Sequence, residues 1–457
     1  MYDVAVLGAG PGGYVAALRA AMRGAKVCII EEKYLGGTCL NVGCIPTKAM
    51  LHASDVFFKT VNAKEFGINI GSPKLDESVF MKRVHKVVKG LTGGVGFLLK
   101  KRGVEVINGR GQLTSKDTIT VETKNGTQEV KGKSIIMATG SVPVRPGFLP
   151  WDNDRLMTTD EATTADSLPK SVLVLGGGVI GCEFATVYSE LGIETTVVEM
   201  LDSLVANLDT DICKAVEKSL KKRKVKIMTG TKLVSVDAQK DKVTAKLEDG
   251  MEITAEKILV AIGRKPNIEN IGLEELGIKT ANGIILVDDH CRTNIDNIYA
   301  IGDIAETMQY AHLASKMGIV AADNATGNDT SDDRTVVPTG IYTHPEAASV
   351  GLSEMQAKKK CPDVKIARFP YSASGIAHAY AEAEGMVKIM AEPKHRVILG
   401  AVVIGQHATD IIHEIAVAMK NKLKVEDISN TIHAHPTFAE AVGEAAEVWE
   451  GLPIHTL

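Results

Sequence analysis

Two stretches of this chain repeat one pattern without a gap. Residues 3–31 read DVAVLGAGPGGYVAALRAAMRGAKVCIIE, and residues 171–199 read SVLVLGGGVIGCEFATVYSELGIETTVVE. Each is an apolar strand, a glycine turn, a helix, a glycine near the helix end and a second apolar strand closing on glutamate. That is a βαβ opening, and two of them predict an α/β chain with two dinucleotide-type domains. The length of 457 residues leaves room for about three domains. A cluster of proline and turn residues, VPVRPGFLPWDND at 142–154, predicts a boundary ahead of the second copy. KLVSVDA (232–238) and KVTAKLED (242–249) predict a hairpin, and GRKPN (263–267) reads as a turn. From about residue 337, VKIMAEP, VILGAVVIG and the helical DIIHEIAVAMKNKL predict an α+β region without a third nucleotide motif.

Composition removes several classes. Hydrophobic residues at 45% and charged residues at 24% suffice for a packed core, which excludes a disordered chain. A net charge of −4 gives no basic excess for nucleic acid, and aromatics at 4% are too few for a base-stacking platform. Lys221–Lys224 (KKRK) reads as a solvated helix end. No apolar run approaches the roughly 18 residues of a membrane span. Strand-like sequence from Asp3 leaves no signal peptide, so the cytoplasm is the expected compartment.

The glycines of each repeat have separate tasks. Gly8 makes the tight turn, Gly10 admits a pyrophosphate and Gly13 lets helix and strand pack closely. Glu31 ends the next strand, where its carboxylate can accept hydrogen bonds from ribose hydroxyls. Gly176, Gly178 and Gly181 repeat the arrangement, with Glu199 in the place of Glu31. Met200, Leu201 and Asp202 follow Glu199, so no arginine waits for a 2′-phosphate, and NAD is expected over NADP. Two dinucleotide sites in one chain suggest electron transfer between two cofactors, FAD and NAD.

GGTCLNVGCIPTK (36–48) follows the first unit directly. Cys39 and Cys44 are five apart, in a glycine-rich stretch that turns into a helix at Pro46, and can close a small disulfide loop. Cys44 lies near the helix N-terminus, which favours a thiolate. Two buried cysteines would be the plain alternative; beside a dinucleotide unit, a redox relay is the expected reading. Cys28, Cys182, Cys213, Cys291 and Cys361 have no such neighbour and are taken as structural. No second cysteine pair or suitably spaced histidine completes a zinc site, and no metal is expected. In HAHPTFAEA (433–441), a strand would point His433 and His435 to one face. Glu440, near a helix start, can hold one imidazole nitrogen and leave the other as a base.

These motifs, with ATGS (138–141), AIGRKPN (261–267), IYAIGDIA (298–305) and THPEAASVGLSE (343–354), resemble the flavin-dependent pyridine nucleotide–disulfide oxidoreductases over essentially the whole chain. Within them the resemblance is to the dihydrolipoamide dehydrogenase branch. It implies two Rossmann-like dinucleotide-binding domains plus a C-terminal α+β dimerisation domain. The implied division is 1–145 for FAD, 146–270 for NAD, 271–336 completing the FAD domain, and 337–457 as the interface of a homodimer. It places FAD on the first unit, with Glu31 on the ribose, contacts from Thr38, Lys48, Gly111, Thr139 and Ala311, and Asp303 on the ribityl chain. It places NAD on Gly176, Gly177, Gly178, Val179 and Ile180, on Glu199 and Leu233, and on the turn Ala261, Gly263 and Arg264. Lys48 and Glu183 match the pair beside the flavin, and His344 is left a packing or hydrogen-bonding role.

The implied reaction oxidises a protein-bound dihydrolipoyl group. His435, oriented by Glu440 and reaching the partner subunit's site, is the base, and His433 is structural or minor. Cys39 exchanges with substrate, Cys44 passes the electron pair to the flavin, and NAD⁺ takes it as hydride. The partners implied are lipoyl-bearing proteins of 2-oxo acid dehydrogenase complexes or of the glycine cleavage system. Val179, Gly181 and the missing arginines depart from the glutathione reductase pattern, and the ending GLPIHTL lacks the cysteine pair of mercuric reductases. Another FAD- and NAD(P)H-dependent disulfide reductase remains the alternative, with a flavin-loaded interaction protein behind it.

Overall fold

A computed structural model describes residues 1–457. The first repeat forms the strand Tyr2–Leu7, the helix Pro11–Met22 and the strand Val27–Glu31. Tyr2–Leu7 runs parallel between Val27–Glu31 and the far half of the long strand Gly126–Met137. Glu105–Asn108 extends the sheet beyond Val27–Glu31, and Ile298–Ala300 joins it on the other side of Gly126–Met137. Val4, Val6, Ile29, Ile135 and Ile136 are wholly buried, which is why these strands read as continuous apolar runs rather than alternating ones. The near half of Gly126–Met137 leaves this layer and pairs antiparallel with Thr118–Thr123, which pairs with Arg110–Ser115.

The second repeat forms Ser171–Leu175, the helix Val179–Glu190 and Glu194–Val198. Its sheet is parallel throughout, in the order Lys226–Met228, Glu194–Val198, Ser171–Leu175, Lys257–Val260, Leu156–Thr158. Both repeats therefore put their first strand inside a sheet and the glycine turn at its C-terminal edge, where α/β folds bind ligands. The expected hairpin forms from Leu233–Ala238 and Val243–Leu247, and Glu252–Ala255 adds a third strand. GRKPN is not a free turn. Arg264–Pro266 pairs antiparallel with Ser141–Pro143 in a two-stranded ribbon. Pro143 and Pro266 sit at the ribbon's ends, where a missing N–H costs little.

The helix Ala311–Ala325 packs on Pro11–Met22 at very close range. A Cβ on Gly318 would fall 2.4 Å from the carbonyl oxygen of Gly12. Buried Asp323 pairs with Arg19 at 2.8 Å and Arg23 at 2.9 Å across this contact. The C-terminal region builds an antiparallel sheet in the order Thr339–Ile341, Ala347–Gly351, Ile398–Ile404, Met386–Ala391, Lys365–Pro370. The helices Ala408–Lys420 and Glu440–Glu450 cover it, with Ile412, Ile415, Val442 and Trp449 in the core.

The basic run at 221–224 departs from expectation at one residue. Lys221 and Lys222 are solvated, but Arg223 lies over the Phe58 ring at 5.2 Å and 3.3 Å from Glu190. The Glu190 carboxylate is fully buried, and a buried carboxylate needs a cation.

Candidate functional site

The first glycine turn opens on a cavity of about 920 Å³. Gly8 has φ +102°, and a Cβ there would sit 2.3 Å from the Ala138 carbonyl oxygen. A Cβ on Gly13 would sit 1.9 Å from the Gly8 oxygen, so that position permits only glycine between helix and strand. At Gly10 a Cβ would meet nothing: its open side faces the cavity, where the first-turn N–H groups of Gly12 and Gly13 have no helical partner and can meet phosphate. Glu31 lines the cavity with its carboxylate fixed by the N–H groups of Ala9 at 2.7 Å and Lys33 at 2.8 Å. Thr38, Lys48, Gly111, Thr139, Asp303 and Ala311 line the same space. Asp303 accepts from Ser141 Oγ at 2.6 Å. Ala311 opens a fifteen-residue helix whose positive end meets the cavity. Glycine turn, ribose-level carboxylate and a second helix N-terminus along one long cleft fit FAD.

The second turn repeats this geometry. Gly176 has φ +107°, with a notional Cβ 2.6 Å from the Ala261 oxygen; one on Gly181 falls 2.0 Å from the Gly176 oxygen; Gly178 is again open. Glu199 accepts from Gly177 N at 2.6 Å and Leu201 N at 2.7 Å. Val179 begins the helix, and Ile180 also lines the first cavity, so it stands between the two sites. Gly263, at φ +122°, is open. Two residues differ from expectation. Leu233 is buried in the core of this half, so only its backbone can face a ligand. Arg264 turns away from the NAD side: it reaches Ser141 Oγ at 2.9 Å, Asp160 at 3.2 Å and Thr38 Oγ1 at 3.3 Å, lining the first cavity. Pairing of Arg264–Pro266 with Ser141–Pro143 fixes that direction.

Both cysteines line the first cavity. Cys39 lies in a short helix, Gly37–Asn41, and the next helix starts at Cys44 itself, not at Pro46. Proline is tolerated in a first turn, where its N–H would have no helical partner. A Cβ on Gly43 would approach the Thr38 oxygen to 3.0 Å and Cys39 Cα to 3.3 Å, so this glycine brings the two segments together. A hydrogen bond from Cys39 holds the Cys44 thiol down to about 7; the nearby Lys48 charge assists, and burial and Glu183 oppose. The same hydrogen bond and burial push Cys39 far up. The direction of both shifts favours the thiolate on Cys44 over Cys39. Burial raises the thiols of Cys28, Cys182, Cys213 and Cys291, and the bond to Asp363 raises Cys361, which makes all five poor nucleophiles.

Lys48 stands one helical turn beyond Cys44, on the same face. Its Nζ donates to both oxygens of Glu183, at 2.9 and 2.8 Å. Burial works against the ammonium, but the charge and hydrogen bonds of Glu183 outweigh it and raise the Lys48 pKa. Glu183 is 1% exposed and also accepts from Tyr342 N at 3.1 Å. Tyr342 escaped the sequence reading, because nothing local marks it.

Residues 431–439 are irregular, so the strand expected to align two histidines is absent. They have no partner strand there, and the imidazoles diverge. His433 turns inward, 2.9 Å from Glu414 and 2.9 Å from the Thr431 oxygen. His435 is 80% exposed, with Nδ1 2.8 Å from Glu440 Oε1. Glu440 Oε2 accepts from Thr437 N at 2.7 Å, which fixes the carboxylate. Burial tends to raise Glu440, but that N–H and the histidine lower it on balance. Neither His435 nor Glu440 lines the cavity that holds the cysteines. His344 Nδ1 lies 2.6 Å from buried Glu190, a hydrogen-bonding role as read. Asp55 joins these two in a cluster whose ligand-type atoms lie within 4.8 Å, but Arg223 already supplies Glu190 with a cation.

Known proteins carry the same pattern. Residues 2–318 match the pyridine nucleotide–disulphide oxidoreductase profile, and residues 337–446 match the dimerisation domain of that family. The chain belongs to the pyridine nucleotide–disulphide oxidoreductases, flavoproteins that use FAD and NAD. Among its relatives is a dihydrolipoyl dehydrogenase of Bacillus subtilis, 42% identical over 99% of both chains. Another, from Geobacillus stearothermophilus, is 40% identical over 100% of this chain and 97% of that one. The crystal structure of LpdA from Mycobacterium tuberculosis superposes with a TM-score of 0.91 at 28% identity, covering 97% of this chain and 99% of that one. The flavoprotein disulfide reductase RclA from Escherichia coli, as its Cu(II) complex, gives 0.89 at 25% identity, covering 98% and 99%. The dimerisation domain makes this chain a homodimer. No helix is long and apolar enough to cross a membrane.

Proposed function

We propose the following reading of the site. The chain is a dihydrolipoyl dehydrogenase, working through Cys39, Cys44, Lys48, Glu183, His435 and Glu440. The observation that carries it is the placement of Cys44 at a helix N-terminus, its thiol held near neutrality, inside the cavity framed by the first glycine turn. The residues 1–145 and 271–336 act together as the FAD domain, 146–270 as the NAD domain and 337–457 as the interface. Pairing of Ile298–Ala300 with Gly126–Met137 supports that division.

His435, held by Glu440, takes the proton of one dihydrolipoyl thiol. The resulting thiolate attacks Cys39 Sγ of the Cys39–Cys44 disulfide. The S–S bond breaks and Cys44 leaves as thiolate, for which its site is built. The second substrate thiol then attacks the substrate sulfur of the mixed disulfide and closes the cyclic lipoyl disulfide. Cys39 leaves and takes up the proton of that second thiol, while His435 keeps the first. FAD, which the glycine turn at Gly8 and Gly10 with Glu31, Asp303 and Ala311 would hold, would supply a two-electron acceptor for the dithiol and a hydride donor for NAD⁺. Lys48 presents positive charge on the cavity side, and Glu183 keeps it charged. Glu199 disfavours a 2′-phosphate at the second site. His435 serves the cysteine pair of the partner subunit, which accords with its exposure and its distance from its own cavity. The substrate is a lipoyl group on a separate protein of a 2-oxo acid dehydrogenase complex or of the glycine cleavage system.

The test is NAD⁺-linked dihydrolipoamide oxidation by purified holoenzyme and by Cys44→Ser. The variant should retain FAD and lose turnover; normal turnover would remove the relay.

A further inference from the structure

The Lys48–Glu183 pair has a third member. Tyr342 comes from the region matched as the dimerisation domain, yet it touches both partners of the pair. Its backbone N–H donates to Glu183 Oε1 at 3.1 Å, and its ring lies 4.5 Å from Lys48 Nζ. Lys48 therefore meets a carboxylate on one side and an aromatic face on another. A carboxylate alone accepts an ammonium over a wide range of directions. A π face in addition narrows that range and excludes water from one side of the charge. The exposed part of Lys48 is left toward the cavity that Cys44 lines.

We propose that Tyr342 is a positioning residue of the redox site, whose ring holds the Lys48 ammonium on the cavity side and so keeps its charge on the Cys44 sulfur. The proposal rests on Cys44 being the flavin-side thiol, as read above. The groups that face Cys44 are Cys39 from the short helix, Lys48 on its own helix and Glu183 from Val179–Glu190. Tyr342 acts on Cys44 only through Lys48. Replacing it by leucine removes the π face and keeps the backbone N–H to Glu183. The ammonium is then free to hydrate and turn away, and Cys44 loses part of the charge that favours its thiolate.

The experiment is a pH titration of the two-electron-reduced holoenzyme, followed by the long-wavelength absorbance a thiolate gives against oxidised flavin. Tyr342→Leu should lose thiolate about three- to tenfold at a fixed pH in the transition, the range expected for a partly desolvated cation–π contact. Tyr342→Met, with similar reach and no π face, should shift in the same direction. Tyr342→Phe should titrate with the wild type. An unmoved midpoint in the leucine and methionine variants, with FAD bound, would overturn the proposal alone. A phenylalanine variant shifted as far as leucine would overturn it as well, by moving the effect to the hydroxyl. A wild-type band that persists in Cys44→Ser would overturn the reading of Cys44 itself, and this proposal with it. A role in folding alone would change FAD content or melting without moving the midpoint.

Discussion

If each site takes its cysteines from one subunit and its histidine from the other, two dead variants should repair each other. Consider Cys44→Ser and His435→Gln, each pure and mixed in equal amounts. Cys44→Ser has no leaving thiolate at either site. His435→Gln lacks its base at both, a loss of about 10²–10⁴ in turnover. In a hybrid dimer, one site inherits both lesions and the other neither. Random exchange between equal pools makes half of the dimers hybrids, so the mixture should reach about one quarter of wild-type activity, given an isologous two-fold interface. The structural grounds are that His435 is 80% exposed and that neither it nor Glu440 lines the cysteine cavity of its own chain. The assay is co-expression with two different tags, tandem purification of the hybrid, and NAD⁺-linked dihydrolipoamide oxidation. Cys39→Ser paired with Cys44→Ser is the control and should not recover, since both lesions disable the same dithiol contribution. A hybrid no more active than the mean of its parents would refute the shared site and place His435 with its own cysteines.

Gly10→Ala should fold normally and lose FAD, because its Cβ meets no protein atom; Gly13→Ala, 1.9 Å from the Gly8 oxygen, should cost about 1–3 kcal/mol or more in denaturant melts. The same melt for both would contradict the division of labour among the glycines. NADH should surpass NADPH in kcat/KM by at least about tenfold, since the Glu199 carboxylate, fixed by Gly177 N and Leu201 N beside the second glycine turn, would repel a 2′-phosphate; a preference for NADPH would undo that assignment. In Cys39→Ala, which removes the hydrogen bond that holds Cys44 down and leaves burial to outweigh Lys48, alkylation of Cys44 should fall off at higher pH than in the reduced wild type, and Cys44→Ser should leave a thiol reactive only at high pH. Asp323, lowered by hydrogen bonds from Arg19 and then Arg23, contributes stability above its unfolded pKa, lost as pH falls through the folded value. Asp323→Asn should therefore melt earlier at pH 7 by about 1–3 kcal/mol, with the difference shrinking toward acid; an equal gap at pH 7 and in strong acid would show that charge is not the cause.

The repeat was legible because each glycine answers a constraint within a few residues of itself. A Cβ on Gly13 or Gly181 would strike the first glycine of its own turn, so the spacing is written into sequence. The buried parallel strands were legible as unbroken runs of valine and isoleucine. What escaped depends on contacts between distant segments. GRKPN has turn composition, but pairing with Ser141–Pro143 makes part of it a strand and turns Arg264 into the first cavity. Arg223 belongs to a basic run, yet the buried carboxylate of Glu190 draws it inward. Tyr342 carries no local signal at all, since it follows a short strand and its partners lie on two helices far away in sequence. Alternation across His433–His435 would define a common face only in a paired strand, which residues 431–439 do not form.

The ribbon between Ser141–Pro143 and Arg264–Pro266 also speaks to ancestry. The chain departs toward its second glycine unit at Val144 and comes back at Gly263, and the flanking residues Pro143 and Arg264 stand opposite each other. A segment whose two ends meet can be spliced into a loop of its host without parting the strands on either side. A copy of the opening unit, duplicated and inserted at that loop, would leave the first sheet to be finished later by Ile298–Ala300, as it is here. On that history the gapless repeat and the interrupted first sheet are two traces of one insertion.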